Sequence, residues 1–145
     1  MKLVDANVLI YAVNEADPKH EVSRDWLDDS LGGSEAIGFA WLVVVAFLRL
    51  TTKVGLFPDP LAVPEALARV REWTDQAVSV MVEPTPRHLE IVAGLLVEVG
   101  TGGNLVSDAH LAALALEHDA TVVSHDGDFG RFTGLRWHPP RPPAG

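Results

Sequence analysis

The sequence predicts an α/β fold, a three-layer α/β/α sandwich with a central parallel sheet. Short apolar runs alternate with segments of helical periodicity from one end of the chain to the other. The apolar runs lack the polar alternation of a strand with one solvent-facing side, which indicates strands covered on both faces. With 145 residues, 48% of them hydrophobic, the chain can bury one such core.

Five short runs rich in Val, Leu and Ile are predicted to be the strands. The first, Lys2-Leu3-Val4, is followed at once by Asp5 and Asn7, residue types that are depleted in strands and common in turns. The predicted strands cover residues 2–4, 36–39, 78–82, 120–123 and 135–138.

Helices are predicted between the strands, where apolar residues recur at helical spacing. Asp17-Pro18 supplies a cap and a first-turn proline for one of them, and Gly32-Gly33 ends it. In the segment 62–77 the expected inner stripe is Val63, Leu67, Val70 and either Trp73 or Thr74. The predicted helices cover residues 8–13, 18–31, 41–52, 62–77, 87–99 and 108–117, with Ser107 capping the last.

One domain is predicted over residues 1–138. It contains no internal repeat, and a flexible glycine-rich loop at 100–104 precedes its last helix. Residues 139–145 are rich in proline and are predicted to form a disordered tail.

The composition excludes several kinds of site. The chain has no cysteine, so a disulfide scaffold, a thiolate zinc site and a cysteine nucleophile are all excluded. Its 20 acidic and 11 basic residues give a formal net charge of −9, whereas proteins that grip nucleic acid usually present positive charge. That objection weakens if several of the acids bind metal, because bound cations reverse the local field.

A soluble, cytoplasmic protein is predicted. Asp5 and Asn7 interrupt the apolar start that a secretory signal would need. The most apolar stretch, 36–50, is shorter than the ~20 residues of a membrane span. The absence of cysteine fits a reducing compartment.

Three distant segments each offer a carboxylate to one end of the predicted sheet. Asp5 follows the first strand, Asp126 and Asp128 follow the fourth, and Asp108 begins the helix after the glycine-rich loop. Ligands in open α/β sheets bind at the carboxyl ends of the strands, and Mg²⁺ prefers oxygen ligands. Taken singly, Asp108 could be a favourable first-turn charge and Asp126-Gly127-Asp128 a turn. Together they predict a Mg²⁺ site suited to hydrolysis of phosphodiesters.

Three motifs make the chain resemble PIN domains, and most closely VapC-type toxins of type II toxin–antitoxin modules. They are Leu3-Val4-Asp5-Ala6-Asn7-Val8-Leu9, the run from Asn104 to Ala115, and the run from Thr121 to Phe129. The resemblance covers the whole chain in order and length. It implies a Mg²⁺-dependent endoribonuclease, with Mn²⁺ as a second candidate ion, that cleaves RNA, forms a homodimer and is blocked by a small VapB-like antitoxin.

The resemblance also assigns site residues. Asp5, Asp108 and Asp126 correspond to metal ligands of the family, and Asp128 corresponds to a helper or substitute. Three further polar residues correspond to supporting positions of the site: Asn7, Asn104 and Ser124.

One position departs from the family pattern. PIN domains carry a Glu on the central helix shortly before a Phe-Leu-Arg-like sequence, and here Ala46 stands before Phe47-Leu48-Arg49. The loss of one ligand favours a single ion. It also keeps open the alternative of a catalytically silent PIN domain that binds an antitoxin or RNA. A third possibility, an acid-lined phosphatase, would need a phosphate-holding lysine, and no lysine lies in any of the three motifs.

The remaining basic and aromatic residues allow more than one interpretation. Arg49 and Lys53 share a helix face and could clamp RNA phosphates or form ion pairs with carboxylates. Core or dimer contacts are expected for three tryptophans at helical positions, Trp26, Trp41 and Trp73.

Overall fold

A five-stranded parallel sheet forms the centre of residues 1–142, the part of the chain that the structure, a computed structural model, describes. Its strand order is β3-β2-β1-β4-β5, and every neighbouring pair is parallel. The strands are shorter than predicted by up to two residues, except the first. They are β1 (Lys2–Val4), β2 (Ile37–Phe39), β3 (Ser79–Met81), β4 (Thr121–Val123) and β5 (Trp137–His138).

Helices connect consecutive strands as far as β4, and a 3₁₀ helix at Gly127–Arg131 precedes β5. Because the chain moves outward from β1 to β3 and then returns to β4, right-handed crossovers place helices on both faces of the sheet. The predicted three-layer α/β/α architecture with a parallel sheet is therefore confirmed. The helices are α1 (Ala6–Val13), α2 (His20–Leu31), α3 (Trp41–Thr52), α4 (Val63–Thr74), α5 (His88–Val99) and α6 (Leu105–Glu117).

Only helix α3 begins at the predicted residue; the other five starts differ by one to three residues, and two of them have a clear local cause. Helix α2 begins at His20 because the Asp17 carboxylate accepts a hydrogen bond from the Lys19 amide at 2.8 Å, which forms a turn before the helix. Helix α6 begins at Leu105, so Ser107 lies in its first turn and the prediction that Ser107 caps the helix is wrong. Gly103, with a positive φ of 58°, reverses the chain just before that start.

The core is formed by side chains from the sheet and the inner faces of the helices. Phe47 of α3 is fully buried and meets Trp73 of α4 edge to face, with ring centroids 5.1 Å apart. On α4 the buried residues are Ala66 and Trp73, whereas Val63, predicted for the inner stripe, is 58% exposed at the helix start. Val63 is the first residue of α4 and lies beyond the edge of the core.

Two of the three tryptophans predicted to make core or dimer contacts, Trp26 and Trp73, are buried. The third, Trp41, is 56% exposed and therefore does not belong to the core.

The end of the domain is only partly described. Residues 139–142 lie outside any helix or strand, and Pro140 among them is buried. The predicted tail continues over 143–145, which lie outside the described residues, so the boundary at 138 stays a prediction. No helix within 1–142 is long and apolar enough to cross a membrane.

Candidate metal centre and active site

The candidate site lies where the strand order reverses, between β1 and β4. These two strands pair in parallel with Val4 opposite Val123, and the Asp5 amide donates to the Val123 carbonyl at 3.0 Å. The residues that follow the two strands, Asp5 and Ser124, therefore emerge side by side. In doubly wound sheets this reversal opens the crevice in which ligands bind.

Asp5 is held by hydrogen bonds from three sides. Its Oδ1 atom accepts from the Ala6 amide at 2.8 Å, and this contact caps the start of α1. Its Oδ2 atom accepts from the Ser124 hydroxyl at 2.7 Å and from the Asn7 side-chain amide at 3.3 Å. The position of the Asp5 carboxylate is thus fixed by groups from both strand ends.

Asn7 and Ser124 also fix the loop that follows β4. The Asn7 side chain donates to the Ser124 hydroxyl oxygen at 3.0 Å and accepts from the His125 amide at 3.0 Å. The hydroxyl oxygen of Ser124, which is completely buried, accepts from the Asp126 amide at 3.0 Å. The structure therefore places these two predicted supporting residues in one network with Asp5.

Three carboxylates form a group that could hold a metal ion. One carboxylate oxygen from each of Asp108, Asp126 and Asp128 lies within 4.8 Å of those of the other two. Asp126 also accepts from the Asp128 amide at 2.9 Å and so caps the 3₁₀ helix. The turn and the carboxylate cluster, which the sequence offered as alternatives, are therefore the same structure.

Burial and neighbouring negative charges raise the pKa of two acids at this site. The pKa of Asp108 is raised to about 6 by burial and then by the charges of Asp126, Asp5 and Asp128. Burial also raises the pKa of Asp5, against hydrogen bonds from Ser124 and Ala6 that lower it, and Asp126 raises it further. No cation contributes to either shift among the described residues. All available donors are oxygen atoms, so the site fits a hard divalent cation.

The geometry differs from the predicted ligand set at two residues. Asp128, expected to assist, belongs to the three-carboxylate group, whereas Asp5 stands beside that group and acts on Asp108 through its charge. Asn104 occupies the N-cap position of α6, is exposed and makes no side-chain capping hydrogen bond. The structure therefore does not join Asn104 to the network of Asp5.

A cavity of about 150 Å³ opens beside the carboxylates, and helix α3 forms one of its walls. Ala46 and Arg49 from α3 line it together with Asp5 and Asp108. Ala46, where the resemblance to PIN domains leads us to expect a Glu, is half-buried and lines the cavity.

Sequence reasoning missed a second polar cluster, between α5 and α6. Glu117, with a side chain only 1% exposed, accepts from His88 Nδ1 at 2.6 Å and from the amide and hydroxyl of Thr85. His88 Nε2 in turn faces His110 Nδ1 at 2.8 Å. The spacing of His110 and Glu117, seven residues apart on one helix face, was the available signal.

Comparison with known proteins identifies the family. The model of the PIN domain matches residues 2–135. Ribonuclease VapC37 of Mycobacterium tuberculosis is 56% identical over 144 residues, which cover 99% of both chains. Ribonuclease VapC33 of the same species is 39% identical over 140 residues, covering 97% of this chain and 98% of the relative.

Solved structures share the fold at low sequence identity. VapBC2 from Rickettsia felis, bound to a promoter DNA fragment, superposes with a TM-score of 0.71 at 15% identity over 95% of this chain and 97% of that one. VapC20 from Mycobacterium tuberculosis, a sarcin–ricin loop cleaving toxin, gives 0.67 at 16% identity over 94% and 99%. The chain belongs to the PIN domain family, in the group that contains these VapC proteins.

Proposed function

We propose that this protein is a metal-dependent endoribonuclease and the toxin of a VapBC-type toxin–antitoxin module. The observation that carries the proposal is the group of carboxylates at the strand ends, whose mutual repulsion helps to raise the pKa of Asp108 to about 6. The VapC37 and VapC33 relatives, similar over nearly the whole chain, are named ribonucleases.

Asp5, Asp108, Asp126 and Asp128 would together hold the ion, for which Mg²⁺ is proposed and Mn²⁺ is the second candidate. Four carboxylates within electrostatic reach of one another favour a divalent cation, because each raises the cost of ionising the others until positive charge is added. When bound, such an ion activates water as a nucleophile and stabilises negative charge on the phosphoryl oxygens.

The protein's own contribution is to hold these ligands in place. Ser124 and Asn7 fix the Asp5 carboxylate and the loop that carries Asp126. Asp108 lies in the first turn of α6, where the helix dipole favours its ionised form. Since the Asp108 carboxyl must lose its proton to bind a cation, metal affinity should rise with pH through about 6.

A catalytically silent PIN domain that binds an antitoxin or RNA is the alternative function. Ala46 favours it, because the cavity wall lacks the Glu that PIN domains carry there. The grouping of Asp108, Asp126 and Asp128 favours the enzyme, since a binding module has no need to keep three repelling carboxylates together.

The proposed partners follow from the proposed module. They are an RNA substrate and a VapB-like antitoxin, as in the VapBC complexes whose toxins share this fold. A homodimer and a cytoplasmic location stay predictions of the sequence.

Expression of the chain without its antitoxin tests this function directly. New RNA 5′ ends should appear in total RNA when the protein is induced, and purified protein should cleave RNA with Mg²⁺ or Mn²⁺ but not with EDTA. The Asp108→Asn variant should produce no new ends. Unchanged RNA in both assays, together with retained RNA or antitoxin binding, would establish the silent alternative.

A further inference from the structure

Arg49 occupies an unusual place for a basic residue in this acidic protein. It lies on α3, three residues after Ala46, and lines the same cavity as Asp5 and Asp108. The side chain is exposed, so its guanidinium is accessible to a ligand that enters the cavity.

No acidic side chain in the described part of the chain forms an ion pair with Arg49. Three arginines form ion pairs, among them Arg24 with Asp25 at 2.9 Å and Arg136 with Asp119 at 2.8 Å. Arg49 takes part in none of the ion pairs found within residues 1–142. The ion-pair interpretation left open by the sequence is therefore not the one that the structure adopts.

Ala46 helps to leave Arg49 available. Residues three apart on a helix are neighbours, so a Glu at position 46 would lie within reach of the Arg49 guanidinium and could pair with it. With alanine there, the cavity wall presents a cation, Arg49, that has no ion-pair partner within residues 1–142.

A polyanionic substrate needs such a cation. Carboxylates repel the phosphates of RNA, and a bound metal ion compensates only where it binds. A guanidinium binds phosphate oxygens through a planar fork of N–H donors and keeps its charge at any physiological pH.

We propose that Arg49 is a positioning residue that binds a backbone phosphate of the RNA as it enters the cavity of Asp5 and Asp108. This rests on the proposed ribonuclease function. The residue acts on substrate placement rather than on the hydrolytic step itself.

Steady-state cleavage of a mixed-sequence single-stranded oligoribonucleotide provides the first test. Arg49→Gln should raise KM by about tenfold, the effect of losing one charge-assisted hydrogen-bonded contact, with a smaller change in kcat. Arg49→Lys should recover part of the loss, because it keeps the charge but not the fork. Arg71→Gln is the matched control: Arg71 is exposed on α4, lies outside the cavity and makes no ion pair within the described part of the chain.

The salt dependence of RNA binding separates a phosphate contact from a structural effect. In an Asp108→Asn background that does not cleave, Arg49→Gln should reduce the slope of log K against log salt concentration by about 0.7, one phosphate contact on a single strand. Its melting temperature should match that of Arg71→Gln in the same Asp108→Asn background.

The outcomes distinguish the two proposals. If the wild-type protein cleaves RNA but Arg49→Gln and Arg71→Gln have the same KM and the same salt slope, the assignment of Arg49 is wrong. A lower melting temperature with unchanged KM would likewise overturn it, in favour of a structural role. If the wild-type protein does not cleave RNA at all, the proposed function fails instead.

Discussion

Helix α6 contributes an acidic side chain to each of two polar clusters, which differ in how this negative charge is balanced. At its first turn, Asp108 faces three other carboxylates, and its pKa is raised to about 6. At its last residue, burial would raise the pKa of Glu117, but hydrogen bonds from Thr85 and His88 outweigh it and lower the pKa. One helix thus ends in an unbalanced acid site and in a fully partnered one.

The difference shows that burial of an acid is not by itself a sign of function. Glu117 has protein donors on both oxygens, which is how a structural carboxylate is stabilised. Asp108, Asp126 and Asp128 repel one another instead, and the fold keeps them together at a cost to its stability. Donors alone do not separate the two clusters, since Asp5 also has them on both oxygens. The repulsion among neighbouring carboxylates is what assigns the first cluster to a cation.

Neutralising Asp108 should have the largest effect on function. Asp108→Asn should reduce RNA cleavage by more than the roughly 10- to 100-fold typical for loss of an outer partner of a metal site, because it removes a proposed metal ligand. The metal-free variant should melt at a higher temperature than the metal-free wild type at pH 7, since a repelling charge is gone. Cleavage assays and calorimetry measure the two effects.

Asp75→Asn is a suitable control for that experiment, because Asp75 is an exposed acid at the end of α4. Wild-type cleavage by Asp108→Asn, in a protein freed of contaminating nuclease, would remove Asp108 from the proposed site.

Removing the carboxylate of Glu117 should lower the stability of the protein, whereas neutralising Asp108 should raise it. Glu117→Ala should lower the free energy of unfolding by about 2 kcal/mol, because the His88 and Thr85 donors lose their buried acceptor. Cleavage per folded molecule should not change. Urea denaturation measures the loss.

Glu117→Gln should cost less, since the amide oxygen still accepts from Thr85 and its N–H can donate to the other tautomer of His88. If Glu117→Ala is as stable as the wild type, the contrast between the two clusters does not hold.

Adding a carboxylate beside Asp5 and Asp108 should strengthen metal binding at the proposed site. Ala46→Glu should lower the metal concentration for half-maximal cleavage by roughly tenfold, because one more anionic ligand offsets the dehydration of the ion. Metal titrations with Mg²⁺ and Mn²⁺ measure the shift, and Ala46→Gln controls for size without charge. Severe destabilisation that metal does not rescue would show that Ala46 packs as a core residue.

The smallest expected effect is on how the melting temperature depends on pH. An acid whose folded pKa lies above its unfolded value of 3.8 stabilises the fold at low pH, and this stability is lost as pH rises through the folded pKa of about 6. The melting temperature of metal-free Asp108→Asn should therefore equal that of the wild type near pH 4 and exceed it progressively towards pH 7. Excess Mg²⁺ should remove the advantage. A constant difference from pH 4 to 7 would contradict the raised pKa of Asp108.

Local pattern was sufficient for much of the molecule. The first strand and helix α3 have the predicted limits. Asp5 ends the apolar run of the strand, and the apolar residues of α3 form one run that only Arg49 interrupts, so the local sequence marks where each element begins and ends. The start of α6 was missed because the glycines before it, rather than a capping side chain, turn the chain.

The sequence by itself determined the candidates for the proposed chemistry: Asp5, Asp108, Asp126 and Asp128 stand in recognisable motifs at predicted strand ends and at a helix start. Only the tertiary structure decided how they are grouped, since Asp108 and Asp126 come from different crossovers and meet where the strand order reverses. It also decided that Glu117 is partnered and Arg49 is not, because both depend on side chains brought close by the packing of separate helices. Sequence spacing encodes contacts within an element, whereas charge balance depends on distances between elements.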